Sequence, residues 1–304
     1  MDQGIDSSAA LERDGAAYAD LLAGFHAFTL HRYGDDQGVI RELAVYRGDE
    51  PEEVGQLRRL LAARPSAEVC MCFGSASISL KGGATAARLS VHHGYSVRWP
   101  GARCGDLVLE RGRELAEWLA ARGVPDVRDE MDESERERAR SEAEERAWVA
   151  AMPESLLEHR DAMLELIRTS DSPSPGLLRQ LSQALRDADS DDERRIRALL
   201  SWHASGSGSC SVCPVHETVP EELLLAETPG VLVAVVSAPD LTATQAAGAA
   251  RLVAGWPAQR GAELRSLSPA VWDRLAAAAA GGDDQDKRDR LARRRAKLQG
   301  KSQA

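Results

Sequence analysis

The first half of the chain alternates apolar and polar residues in short runs, a pattern typical of β-strands. Four such runs occur as two pairs, each flanking a turn that contains glycine: residues 25–31 and 39–46, then residues 68–80 and 86–99. Two alternating runs joined by such a turn predict a β-hairpin. If Leu80 pairs with Ala87 across the second turn, the partners of all later residues in that hairpin follow from the register.

Two other stretches of this half repeat apolar residues every three or four positions, as amphipathic helices do. Pro51, which suits the first turn of a helix, precedes the first stripe. The two stripes consist of Val54, Leu57, Leu60 and Leu61, and of Leu115, Trp118 and Leu119. They predict two helices that cover the strands.

Helical periodicity dominates after a run of mixed charge, and the change in pattern predicts a second domain. A short apolar run at residues 231–236 fits either a buried strand or a buried helix. We therefore predict an α+β fold, with an N-terminal β-rich domain and two covering helices followed by a mostly α-helical C-terminal domain. The predicted segments are a flexible N-terminus (1–22), an α+β domain (23–125), a charged linker or helix (126–146), an α-helical domain (147–282) and a basic tail (283–304).

Composition and charge limit the classes of function. The chain has 304 residues, of which 43% are hydrophobic and 28% charged, as expected for a folded globular protein. A net charge of −10 argues against a general nucleic-acid binder, which needs a basic surface. The basic tail is the exception: its cluster of Lys and Arg is either a solvated chain end or a contact for an acidic partner or RNA. Abundant Ala and Arg with scarce Lys indicate a GC-rich bacterial genome.

The expected compartment is the cytoplasm. No apolar run is long enough to span a bilayer, and no basic segment followed by an apolar one resembles a secretory leader. The chain has five cysteines, and an odd number favours free or metal-bound thiols in a reducing environment.

The first group of candidate ligands lies on the second predicted hairpin. Strand parity places Cys70, Cys72 and His93 on its apolar face, with Cys72 opposite Tyr95, and turns His92 to the other face. A nearby loop contributes Cys104. Cys70, Cys72, His93 and Cys104 could then converge on a metal or redox centre. The alternative is an ordinary core, because free cysteines are frequently buried, and glycines at 74 and 94 could shift the register.

The second group combines a Cys-x-x-Cys motif with two histidines. His203, Cys210, Cys213 and His216 supply two thiolates and two imidazoles, which complete the tetrahedron of a structural zinc site. Pro214 stands where a haem-attachment motif has histidine. An incidental surface loop or a reversible disulfide are the alternatives.

No phosphate-binding loop, dinucleotide fingerprint or His-Glu-x-x-His motif occurs in the sequence. The leading hypothesis is therefore a non-catalytic interaction or regulatory protein of the bacterial cytoplasm, with a protein partner and a structural zinc. The alternative is a thiol- or zinc-dependent enzyme with its site around Cys72, His93 and Cys104. Four protein ligands on the metal would favour the first hypothesis, and an open coordination position the second.

Overall fold

The computed structural model describes residues 7–36, 39–82, 85–102, 105–169, 171–207, 215–280 and 285–300. Contacts between residues divide the chain into two compact units, unit 1 (Met1–Ala139) and unit 2 (Arg140–Ala304). Among the described residues, no helix is both long enough and apolar enough to cross a membrane. A sheet in the N-terminal half and helices in the C-terminal half give the predicted α+β class.

The described strands of unit 1 form a single antiparallel sheet. They are β1 (Ala27–Asp36), β2 (Val39–Gly48), β3 (Ala63–Pro65), β4 (Ala76–Gly82), β5 (Thr85–His92), β6 (Ser96–Arg98) and β7 (Leu107–Leu109). Their order in the sheet is β2-β1-β4-β5-β6-β7-β3. β1 with β2 and β4 with β5 are the two predicted hairpins, and Leu80 pairs with Ala87 as predicted.

Helices supply the rest of the core of unit 1. They are α1 (Ser7–Gly24), α2 (Pro51–Leu60) and α3 (Gly112–Ala120). The predicted stripes of α2 and α3 are buried together with the inward side chains of β4 and β5. Burial of these Leu, Val and Trp side chains provides the main stabilisation of the unit.

The helix α1 occupies most of the segment that was predicted to be flexible. Tyr18 and Leu22 are buried, and the Tyr18 hydroxyl donates a hydrogen bond of 3.0 Å to the Leu61 carbonyl. Alanine forms much of the remaining surface of this helix. Because alanine has high helix propensity but adds little apolar periodicity, the hydrophobic pattern of this segment is weak.

The run of mixed charge is one long helix, α4 (Asp126–Ala150). Its few apolar residues belong to the cores: Val127 and Met131 are buried in unit 1, and Trp148 in unit 2. Ion pairs between residues three and four positions apart, such as Arg136 with Glu133, occur along its exposed surface.

The described part of unit 2 is helical. After a short 3₁₀ helix (Glu154–His159), its helices are α5 (Arg160–Thr169), α6 (Pro175–Ala188), α7 (Asp192–Ala204), α8 (Thr218–Ala226), α9 (Pro229–Ser237), α10 (Ala243–Gly255), α11 (Pro269–Ala280) and α12 (Gln285–Gly300). The ambiguous run at 231–236 lies in α9 and is therefore helical. Part of the predicted basic tail forms α12, whose Leu291 is buried in the core.

Candidate metal centre

Two thiols lie on a loop of irregular backbone between β3 and β4, which we call the thiol loop (residues 66–75). The loop turns at Gly74, where φ is +88°, a value that L-residues with a side chain rarely adopt. A Cβ atom at Gly74 would lie 2.8 Å from the Val91 carbonyl oxygen. The neighbouring Ser75 amide donates a hydrogen bond of 2.7 Å to the same carbonyl. Glycine therefore allows the loop to lie directly against the end of β5.

This close approach brings three potential metal ligands together. Cys70 Sγ and Cys72 Sγ are 3.0 Å apart, and Cys72 Sγ is 3.0 Å from His92 Nδ1. His92 is 1% exposed, while both thiols are partly buried. The ligand atoms of Cys70, Cys72 and His92 all lie within 4.8 Å of one another. Among the described residues, no other three His, Cys, Asp or Glu side chains converge in this way.

The ligand types and distances fit zinc. Zn–S bonds of about 2.3 Å and Zn–N bonds of about 2.0–2.1 Å place neighbouring ligand atoms roughly 3.5–3.8 Å apart around a tetrahedron. The observed separations of 3.0 Å would therefore need to open by about half an ångström or slightly more. Rotation of the two cysteine side chains on an irregular loop can supply a movement of this size.

An ion pair fixes the backbone at Cys70. Asp106 is buried, accepts a hydrogen bond of 2.8 Å from Arg98 Nε, and accepts another of 2.8 Å from the Cys70 amide. The Arg98 guanidinium also donates to the Cys70 carbonyl. Burial acts to raise the pKa of Asp106, but the donors on Arg98 and Cys70 outweigh it and hold that pKa below its usual value. The carboxylate thus stays ionised and anchors the loop.

The two thiols differ in acidity. The hydrogen bond with Cys72 lowers the pKa of Cys70, and contact with His93 adds to this effect. Burial and the neighbouring Cys70 raise the pKa of Cys72. As the pH rises, the pair therefore loses its first proton from Cys70, and Cys72 keeps its proton to higher pH. A thiolate is the form that binds metal and acts as a nucleophile.

Burial lowers the pKa of His92, and the positive charge of Arg98 adds to this. The imidazole is consequently neutral near pH 7, which leaves a ring nitrogen able to bind a metal. Nε2 is buried without a hydrogen-bond partner among the described residues, so Nδ1 makes the polar contact that orients the ring toward the thiols.

His93 lies in the turn after β5, and its φ of +52° is unusual for a residue other than glycine. Its Nδ1 is 2.5 Å from Glu130 Oε1 on α4, and Glu130 also accepts a hydrogen bond from Ser75. Burial acts to lower the pKa of His93, but the Glu130 carboxylate outweighs it and raises that pKa overall. An imidazole–carboxylate pair therefore borders the thiols.

The structure corrects the predicted arrangement of the first ligand group. Strand parity turned His92 away from the thiols, whereas His92 contacts Cys72. It also placed Cys72 opposite Tyr95, but β4 begins only at Ala76. The register prediction holds within the hairpin and fails beyond it, because the thiol loop leaves the strand at Gly74 and covers the opposite face of β5. Cys104 lies outside the described residues, and its role stays a prediction.

The second ligand group is only partly described, because Cys210 and Cys213 lie outside the described residues. His203 and His216 are both buried, and burial lowers the pKa of each. All four of their ring nitrogens are buried with no hydrogen-bond partner in the described part of the chain. Buried polar atoms normally have a partner, and the described residues supply none to these nitrogens. The predicted zinc site at His203, Cys210, Cys213 and His216 stays a prediction.

Two residues important to the first site were not singled out in the sequence. Asp106 precedes the short strand β7 with no surrounding motif. Glu130 is one of many carboxylates in the charged run, so its sequence context carries no signal. Arg98, at the end of β6, forms the ion pair with Asp106.

Side chains that alternate with the thiols point to solvent. Met71 is 93% exposed, Phe73 is 87% exposed and Val69 is 53% exposed. Clusters of exposed apolar side chains frequently mark interaction surfaces. The thiol loop therefore has a ligand-bearing inner side and an apolar outer side.

Comparison with protein-family models, curated proteins and solved structures found no match to this chain. Any assignment of function therefore depends on the arrangement of its side chains. For the first ligand group, that arrangement combines two thiols, a neutral imidazole and a bordering imidazole–carboxylate pair.

Proposed function

We propose that this chain is a zinc-stabilised, non-catalytic interaction or regulatory protein of the bacterial cytoplasm. The observation that carries the proposal is the two-sided thiol loop. Cys70 and Cys72 face His92, while Met71 and Phe73, which alternate with them, face solvent. A reducing compartment suits the proposal because thiols must remain reduced to bind metal.

Zinc would add a strong constraint to a loop of irregular backbone. Hydrogen bonds hold the thiol loop at Ser66, Glu68, Cys70 and Ser75, and Cys72 contacts His92. Ordering an irregular loop costs conformational entropy, and exposed apolar side chains do not offset that cost. A metal bound by Cys70, Cys72 and His92 would join the loop to β5, and its binding free energy would contribute to folding.

The outer side of the loop would then form a protein-binding surface. Met and Phe are enriched at the centres of protein interfaces, and Met adapts readily to an irregular partner surface. Val69, Met71 and Phe73 would insert into an apolar groove of the partner, which is a protein in this proposal. Metal occupancy would set the conformation of the loop and therefore the affinity for the partner.

Metal content tests the first part of this proposal. We expect purified wild-type protein to hold zinc at this site, and both the Cys70→Ser, Cys72→Ser double variant and His92→Gln to lose that equivalent. His159→Gln, a change of the same type at a histidine of unit 2, is the control. Equal zinc content in wild type and the double variant would contradict the metal assignment.

Interaction is tested separately with Met71→Ser combined with Phe73→Ser, which leaves all three ligands in place. The matched control is Leu43→Ser with Val45→Ser, since both residues are exposed apolar side chains of β2 in the same unit. Proteins captured by the wild type should be lost with the loop variant and after chelation, and retained by the control. If the loop variant captures the same proteins as the wild type, the outer side of the loop is not the interaction surface. The metal assignment would be unaffected by that result.

A second candidate function is a zinc- or thiol-dependent enzyme at the same site. Three protein ligands would leave one position for water, as in catalytic zinc sites. His93 and Glu130 lie beside Cys70 and could transfer a proton. A cavity of about 190 Å³ next to Cys70, lined in part by Ser66 and Asp106, offers space for a small substrate.

Cobalt substitution separates the two functions. An open position should let added azide change the visible spectrum of the Co²⁺ protein, which would favour the enzyme. A spectrum that is unchanged by azide but altered by Cys104→Ser would favour four protein ligands and the non-catalytic function. His93→Gln provides a further comparison, because it removes the imidazole beside Cys70 without removing a ligand of the observed trio.

A further inference from the structure

A cavity with a strongly basic lining lies within unit 2, far along the sequence from the ligand groups described above. Its volume is about 490 Å³, and it is bordered by α10, α12 and the two 3₁₀ turns Ala258–Arg260 and Glu263–Ser266. Five cationic side chains line it: Arg265, Arg290, Arg293, Arg294 and Lys297. Among the described residues that line it, none is acidic.

Four of these cations recur along α12 at intervals that place them on one face of the helix. Residues 290, 294 and 297 are four and three positions apart, and 293 lies between them on the same side. Like charges four residues apart destabilise an isolated helix. The face is therefore electrostatically unfavourable unless an anion neutralises it.

The carboxylates near the cavity neutralise only part of this charge. Asp286 Oδ2 is 2.6 Å from Arg290 Nε, and its Oδ1 is 3.8 Å from Arg293. Within the described ranges, Arg265, Arg294 and Lys297 make no ion pair. Three positive charges are thus available to a ligand even when Asp286 remains in place.

Arg294 is the most informative of the three. It is partly buried, and burial lowers the pKa of its guanidinium. It donates a hydrogen bond to the Ala254 carbonyl, at the long distance of 3.5 Å. A partly desolvated guanidinium with one weak partner has several N–H groups that can still donate to a bound anion.

Part of the remaining lining is apolar. Ala254, Ala258, Ala262 and Leu298 border the same space as the cations, and Gln259 adds a neutral polar side chain. A cavity of several hundred Å³ with apolar walls and a few convergent charged groups is typical of small-molecule sites. The combination suits a ligand with a polyanionic end and an apolar or aromatic part.

We propose that this cavity binds a small molecule that carries two or more linked phosphate groups, such as a nucleoside polyphosphate. Arginine forks match phosphate oxygens in geometry, and several linked phosphates can contact cations spread over two helical turns. A concave site of limited volume on a protein with net charge −10 favours a small anion over a long nucleic acid. This site is independent of the proposed zinc function.

Calorimetric titration of the full chain with ATP and with inorganic tripolyphosphate tests the proposal. We expect both to bind at physiological salt, and monophosphate to bind more weakly because it contacts fewer cations. Tighter binding of ATP would indicate that the apolar wall contacts the nucleoside, and equal affinities would indicate that the phosphate chain alone is recognised. Either result supports the site, provided that it depends on the cations of the cavity.

The dependence is tested with Arg294→Gln combined with Lys297→Gln, which should weaken binding by about tenfold or more. The control, Arg288→Gln with Arg295→Gln, removes the same charge from α12 at positions that do not line the cavity. Because salt screens distant charges, it should change the affinity by less than about twofold. Arg265→Gln changes a cavity residue outside α12 and should also weaken binding. It therefore tests the site even if the double variant disturbs the helix.

Three outcomes would overturn the proposal. One is the absence of binding of both polyphosphates, and another is equal affinity in wild type, the double variant and Arg265→Gln. The third is tighter binding of a single-stranded RNA, lost with the same variants, which would assign the basic face to nucleic acid. Thermal melts of each variant without ligand confirm that the fold is retained.

Discussion

Cys72 Sγ lies 3.0 Å from His92 Nδ1, although twenty positions separate the two residues along the chain. The contact joins the thiol loop to the last residue of β5, and it exists because the loop turns back at Gly74. The turn places the loop on the face of β5 that carries His92. The candidate metal centre therefore depends on one close contact between a loop and a strand.

Zinc affinity at this centre should rise with pH. Metal binding displaces the thiol protons, and the raised pKa of Cys72 keeps its proton in place through neutral pH. Each proton displaced contributes about a tenfold gain in affinity per pH unit. Since the pKa of His92 is lowered, its protonation should not compete with metal above neutrality. Competition titrations with a chromophoric chelator between pH 7 and 9 would measure the slope, and a flat profile would argue against thiolate ligation.

Replacing the buried carboxylate beside Cys70 should weaken both the fold and the site. Asp106→Asn removes charge-assisted hydrogen bonds from Arg98 and should lower the unfolding free energy by about 1–3 kcal/mol. Loss of a supporting contact of this kind typically lowers metal affinity about 10–100-fold. Denaturant unfolding and metal titration would measure the two effects, with the exposed Asp49→Asn as the control.

The effect of Asp106→Asn should also depend on pH. The folded-state pKa of Asp106 lies below its ordinary value, so the carboxylate stabilises the fold above the unfolded pKa of about 3.9. This contribution is lost as the pH falls through the lower, folded-state pKa. The difference in stability between wild type and variant should accordingly be full at pH 7 and shrink below about pH 4. A constant difference down to pH 3 would mean that the variant acts by another route.

The His203–His216 segment should bind a second zinc. Two buried imidazoles without hydrogen-bond partners among the described residues, together with a Cys-x-x-Cys motif, complete a tetrahedral ligand set. Cys210→Ser with Cys213→Ser should release about one metal equivalent per chain and lower the melting temperature. Cys70→Ser should leave this equivalent in place. Metal analysis of both variants and thiol counting on the wild type would decide. An unchanged metal content in the double variant, with Cys210 and Cys213 titrating freely in the wild type, would refute the site.

Close packing between α7 and α10 should make Gly248 intolerant of a side chain. A Cβ atom there would lie 1.9 Å from the Leu200 carbonyl oxygen, so the two helices would have to separate. We expect Gly248→Ala to destabilise unit 2 by about 1–3 kcal/mol, as overpacking does. Gly230→Ala in α9 is the control, because its added Cβ would have no described atom within 4 Å apart from the neighbouring backbone of its own helix. It should be neutral or stabilising by up to about 1 kcal/mol.

Local patterns in the sequence were sufficient for much of the fold. Alternation and turn residues predicted both hairpins and the pairing of Leu80 with Ala87. The apolar stripes that contain Leu57 and Leu115 predicted α2 and α3. These signals are reliable because each depends on neighbours within a few positions. The apolar composition of residues 231–236 was compatible with either a strand or a helix. Only the packing of this segment among other helices determined that it forms α9.

The sequence by itself established which side chains could bind metal, and it placed Cys70 and Cys72 near a pair of histidines. The tertiary structure decided that His92 faces the thiols and that His93 instead pairs with Glu130. It also brought Asp106 to the Cys70 backbone and assembled Arg265 with the basic face of α12. These contacts join residues far apart in the chain, and they depend on how loops fold across strands and how helices pack. No periodicity encodes them, because periodicity reports the local backbone and not the element that covers it.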